Sequence, residues 1–117
     1  MKVMVTGTKT FSNYNVFLRA MRVVLSDLNN AGDTELVVYS AGPSTVNDFS
    51  REFLNITENS LKSLGVSTKL IVKPFDTMKQ IVTDMDYVAS FTSPDENKGV
   101  IASIAEDNNI EWGVFRH

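Results

Sequence analysis

Residues 3–28 run VMVTGTKTFSNYNVFLRAMRVVLSDL, and the change of period inside that stretch decides the fold. Val3-Met4-Val5 is short and apolar with β-branched residues, and Gly7 stops it, which predicts a buried strand. From Val16 the apolar residues recur at helical spacing. Val16, Phe17, Ala20, Met21, Val24, Leu25 and Leu28 share one face of a helix from about Tyr14 to Asn30, with Gly32 as its stop.

The same alternation continues to the end of the chain. Leu36-Val37-Val38-Tyr39 predicts a second strand, closed by Ser40-Ala41-Gly42-Pro43. Val46, Phe49, Phe53, Ile56, Leu61 and Leu64 carry a second helix ending at Gly65, with an irregular stretch expected over Asn55–Asn59. Leu70-Ile71-Val72 is the third strand, and Met78, Ile81, Val82 and Met85 suggest a short third helix. Tyr87-Val88-Ala89-Ser90-Phe91, a helix carrying Val100, Ile101, Ile104 and Ala105, and Trp112-Gly113-Val114-Phe115 complete the order βαβαβαβαβ. Short apolar strands separated by helices predict an α/β, three-layer Rossmann-like fold. Its five-stranded, mainly parallel sheet has helices on both faces and the first strand at its centre. Residues 1–117 show no repeat, low-complexity tract or linker, so one domain is expected.

Composition narrows the function. A 117-residue chain buries enough surface to fold without a disulfide or a metal. Its net charge of −3 argues against nucleic-acid binding by bulk charge. Cysteine is absent, which excludes thiol nucleophiles and cysteine metal sites. The one histidine, His117, is the last residue, which argues against Ser-His-Asp chemistry and histidine-built zinc sites. No metal is expected. No apolar run reaches the length of a membrane span and no signal-peptide pattern precedes the first strand, so a soluble cytoplasmic protein is expected. Ten asparagines fit an AT-rich coding genome, including that of a phage.

Open parallel sheets bind ligands at the carboxyl ends of their strands, where the strand order reverses. Three loops fall on that edge. In the first, Gly7 permits close approach of backbone, Thr8, Thr10 and Ser12 offer hydroxyls, and Lys9 offers a charge ahead of a helix start suited to phosphate. The second carries Gly42, Ser44 and Thr45 but no base. The third runs from Thr92 and Ser93 to Lys98-Gly99, where another helix opens. Gly7, Thr8, Lys9, Thr10, Gly42, Ser44, Ser93, Lys98 and Gly99 are the candidate ligand-binding residues. A phosphate is expected between the first and fourth strand ends, held by two helix starts and the charges of Lys9 and Lys98, and Gly7→Val is expected to fill its place.

Val3-Met4-Val5-Thr6-Gly7-Thr8-Lys9-Thr10-Phe11 resembles the opening strand and loop of the YspA-like branch of the SLOG superfamily, the Rossmann-like group that contains the SMF/DprA and LOG proteins. Val37-Val38-Tyr39-Ser40-Ala41-Gly42 is similar to that family's strand into a Ser/His-Gly-Gly loop. Asp86-Tyr87-Val88-Ala89-Ser90-Phe91, followed by Ser93-Pro94 and Lys98-Gly99, is similar to its fourth strand and the helix start beyond it. Ile110 to Phe115 sits where the family has its last strand. The resemblance implies a nucleotide or nucleotide derivative as ligand, and homodimers or larger even assemblies, here expected on helix faces that include Phe49 and Phe53.

The departures bear on catalysis. Lys9 stands where the family has arginine, and lysine is a point charge rather than a bidentate fork. Ala41 replaces a glycine, and Pro43-Ser44 stands where the family often has Ala-Arg. Ser103 occupies the position of the glutamate that LOG phosphoribohydrolases use. The resemblance thus implies binding, by a sensor or a sequestering module, better than cleavage, and no catalytic residue is assigned. One alternative is a nucleotide N-glycosidic hydrolase that recruits Asp48 or Glu96. Another is an interaction protein that has lost the pocket. The acidic neighbours Asp84 and Asp86, Asp95 and Glu96, and Glu106 and Asp107 read as solvated surface, and Trp112 as a ring packed on a helix.

Overall fold

Along β1 (Lys2–Gly7) successive side chains enter opposite faces of the sheet, and both faces are dry. Val3 and Val5 join one apolar cluster and Met4 joins the other. The computed structural model of the protein describes residues 1–41 and 44–116. In it β1 is followed by α1 (Tyr14–Ala31), β2 (Glu35–Ala41), α2 (Ser44–Ser63), β3 (Ser67–Val72), α3 (Phe75–Ile81), β4 (Tyr87–Thr92), α4 (Gly99–Asp107) and β5 (Glu111–Arg116). The five strands form one sheet in the order β3-β2-β1-β4-β5, and every pairing is parallel. This is the α/β architecture expected from the alternating periods, with β1 at the centre.

The two clusters show how the helices are distributed. Phe17, Met21 and Val24 of α1 and Val46, Phe53 and Leu61 of α2 pack with Val3, Val5, Leu36, Val38, Ala89 and Phe91 on one face. Met78 of α3 and Ile101 and Ala105 of α4 pack with Met4, Ala41 and Val88 on the other. Phe53 is 4% exposed and Phe49 packs on the same cluster, so this side of α2 belongs to the core and is not a free face for a second copy.

Helix boundaries follow local chemistry. The Asn13 side chain accepts the Val16 N–H and caps α1. At its far end Gly32, at φ 68°, donates to the Asn29 carbonyl while Asp33 donates to that of Leu28. Gly65, at φ 80°, and Val66 repeat this pattern on Lys62 and Leu61 of α2. Both are Schellman stops, and both need the left-handed backbone that glycine adopts without strain. The irregularity expected over Asn55–Asn59 is absent: α2 runs through it, with the Thr57 hydroxyl bonded to the Phe53 carbonyl. The third helix starts three residues before Met78 and tightens into a 3-10 turn at Val82–Asp84. Trp112 lies on the outer strand β5, 36% exposed, in register with Val88 on the sheet face that α4 covers. No helix among the described residues is long and apolar enough to cross a membrane.

Candidate functional site

The strand order reverses at β1. Its chain connections lead through α1 to β2 on one side, and β4 lies on the other. Between the carboxyl ends of β1 and β4 lies a cleft of about 140 Å3. Its lining is Thr6, Gly7 and Thr8 from β1 and its loop, Ser90, Phe91 and Thr92 from β4, Glu96, Asn97, Gly99, Val100 and Ile101 from the next loop and α4, and Phe75 at the head of α3. Thr6 pairs in register with Ser90, and both share the face of Met4 and Val88, so the alternation that fills the core delivers hydroxyls to the cleft at its end.

The two loops that frame the cleft are fastened to each other. The Thr8 N–H donates to the Phe91 carbonyl at 3.1 Å, and the Phe11 N–H closes a turn on the Thr8 carbonyl. Phe11 itself is 1% exposed and stacks on Phe91 with ring centres 4.6 Å apart, so it anchors the first loop in the core. On the other side the Ser90 hydroxyl donates to the Lys98 carbonyl at 2.8 Å and turns the chain into α4. Gly99 has φ 86°, and its N–H is taken by the Asn97 side chain. Arg116 holds this loop from β5: its Nη1 donates to the Thr92 hydroxyl at 3.0 Å and to the carbonyls of Ser93 and Glu96 at 3.1 and 2.6 Å.

Of the residues singled out in the sequence, Gly7, Thr8 and Gly99 line the cleft. Thr10 is exposed on the turn and its hydroxyl meets that of Thr8 at 3.2 Å. Lys9 is exposed beside them, with no ion-pair partner among the described residues. The Ser93 hydroxyl donates to the Glu96 carboxylate at 2.5 Å. Lys98 turns away from the cleft: its ammonium lies 2.7 Å from the Glu106 carboxylate and 5.4 Å from the centre of the Trp112 ring. Gly42 and the side chain of Ser44 lie outside the described residues, as do Pro43 and His117. Of the two candidate carboxylates, Glu96 lines the cleft, whereas Asp48 is exposed and sits 3.5 Å from Arg51.

Other details differ from the phosphate cradle expected between the two loops. The space beside Gly7 is filled by core, because a β-carbon there would stand 2.7 Å from Cγ2 of Val46. Helix α1 begins at Tyr14, beyond the turn, and neither Asn13 nor Tyr14 lines the cleft. Of the two helix starts expected to hold the phosphate, that of α4 alone lines the cleft. Phe75, Asn97 and Arg116 were not singled out from the sequence. Phe75 is 40% exposed at the head of a helix, and an exposed aromatic directly after Pro74 was the available signal for it.

Two larger hollows, of about 470 and 440 Å3, lie at the amino edge of the sheet. They are lined by the carboxyl ends of α1 and α2, including Gly32, Leu64 and Gly65. Two tyrosines titrate high. Burial, with Glu111 and Asp27 nearby, pushes the Tyr87 phenol up to about 12, and burial with Glu52 raises that of Tyr14. Neither lines the cleft. Among the described residues no three acidic or histidine side chains gather as metal ligands. No protein-family model matches this chain, and no curated protein is significantly similar to it.

Proposed function

We propose that the protein binds a small nucleotide-derived ligand at the carboxyl edge of its sheet, as a sensor or sequestering module without strong catalysis. One observation carries this reading: the cleft with its hydroxyls and glycine backbone lies where β1 and β4 part, the place at which doubly wound sheets hold ligands. The resemblance of the Thr6–Phe11 and Asp86–Phe91 segments to the SLOG superfamily supports a nucleotide as the class of ligand. The test is a thermal-shift screen with nucleoside mono-, di- and triphosphates, cyclic nucleotides, NAD and ADP-ribose. A ligand at a hundred times its Kd stabilises the fold by about 2.7 kcal/mol, a shift easily seen at this size. No shift with any of them removes the reading and leaves an interaction protein in its place.

A second reading is favoured by Glu96, the acidic residue that lines the cleft. It makes the protein a nucleotide N-glycosidic hydrolase with Glu96 as its acid-base group. Release of free base, followed by chromatography and abolished in Glu96→Gln, decides between the two.

A further inference from the structure

If the ligand is nucleotide-derived, as proposed above, the charges around the cleft decide which end of it goes in. Glu96 is the one charged side chain among the described residues that line the cleft. Of the nearby cations, Lys79 stands at the mouth, 5.6 Å from the centre of the Phe75 ring and paired with Asp76 at 3.2 Å, and the others are elsewhere. Lys98 is committed to Glu106, and Arg116 spends its Nη1 on Thr92, Ser93 and Glu96 oxygens behind the wall. Lys9 stands exposed on the turn beyond Thr8, at the rim. A phosphate inside the cleft meets a carboxylate and no lining cation, and like charges at short range oppose each other.

The mouth favours a different group. Phe75 from α3 and Val100 from α4 both line the cleft, yet they are 40% and 53% exposed. An aromatic face and an aliphatic side chain at one opening suit a planar heterocycle, which gains by stacking and by leaving water. The polar groups beside them are paired in kind. Asn97 gives its side-chain oxygen to the Gly99 N–H, which leaves its amide nitrogen to donate. Glu96 receives the Ser93 hydroxyl on one oxygen and keeps the other as an acceptor. A donor next to an acceptor complements the hydrogen-bonding edge of a nucleobase.

The geometry points to a cleft that takes the nucleoside end of the ligand, with the base between Phe75 and Val100, its polar edge toward Asn97 and Glu96, and its phosphates outside beside Lys9. The experiment is calorimetric titration of the whole chain with adenosine, guanosine, cytidine and uridine, with their 5′-monophosphates, and with inorganic phosphate. At least one nucleoside binds within about tenfold of its own monophosphate, and inorganic phosphate does not displace it. Phe75→Ala, at an exposed position whose folding is checked by circular dichroism, weakens nucleoside and monophosphate alike by about tenfold or more. Lys9→Ala weakens the monophosphate alone. A monophosphate that binds while its nucleoside does not, or that inorganic phosphate displaces, overturns this orientation and leaves the nucleotide reading standing. Equal affinity of Phe75→Ala and the parent overturns the base seat. No binding by any of these compounds, together with no shift in the wider screen, removes both.

Discussion

A β-carbon on Gly7 would stand 2.7 Å from Cγ2 of Val46, so the end of β1 and the first turn of α2 touch through a position that has no room for a side chain. Val46 is fully buried and its branched side chain has little rotamer freedom to yield. The consequence for Gly7→Val is overpacking of the core rather than a plugged cleft. It should destabilise the fold by about 1–3 kcal/mol, read as a lower urea midpoint. Adding Val46→Ala should recover part of the loss, and a double-mutant cycle with no coupling would remove this account.

Tyr87 makes stability depend on alkaline pH. Burial first, then Glu111 and Asp27, raise its phenol to about 12 from the ordinary 10.0. A raised acid favours the protonated folded state, so its contribution is fully present below pH 10 and is lost as pH rises through about 12. Urea unfolding over that range should show stability falling with pH, and Tyr87→Phe should flatten the slope. The phenol has no spare room: a side chain on Gly113 would run into its oxygen and into the Phe115 ring.

Lys98 is a structural cation. Its ammonium bridges Glu106 and the Trp112 ring, joining the start of α4 to its last turn and to β5. Lys98→Met should cost no more than about 1 kcal/mol, since the pair is partly exposed. It should change tryptophan fluorescence and leave the affinity of any cleft ligand within about twofold, whereas a direct phosphate contact would cost about tenfold or more.

Arg116 should matter more than its place on an outer strand suggests. One nitrogen serves Thr92, Ser93 and Glu96, so Arg116→Ala releases the loop that carries Glu96 and Asn97. A loss of about 1.5–3 kcal/mol is expected. Hydrogen exchange should quicken over residues 93–98 while the β1–β2 ladder stays protected. Uniform loss of protection would mean that Arg116 supports the whole fold instead.

Periodicity made the sheet legible because β1 and β4 are buried on both faces, so Val3-Met4-Val5 and Tyr87-Val88-Ala89 carry continuous apolar signal with no competing helical pattern. The cleft was half legible. Gly7, Thr8 and Gly99 are strand-end residues whose place follows from strand order alone. Lys98 was misplaced because its partners are Glu106, two helical turns on, and Trp112 on the next strand; the length of α4 and the register of β5 decide both. Phe75 was missed because only the crossing from β3 to β4 brings the head of α3 to the mouth. The tight contact of Gly7 with Val46 joins elements 39 positions apart, where a glycine signals freedom of the backbone and hides the neighbour that requires it.

The central place of β1 has a kinetic side. Its neighbours are β2 and β4, and the Lys2 N–H that meets the Asp86 carboxylate at 2.8 Å does so across 84 residues of chain. During synthesis β1, α1 and β2 can associate early, but one side of β1 stays open until β4 has emerged. The wall between Thr8 and Phe91 therefore closes late, after the costly long-range pairing has been made. Refolding should be slower than in a helical protein of this length, and the cleft should form no earlier than the pairing of β1 with β4.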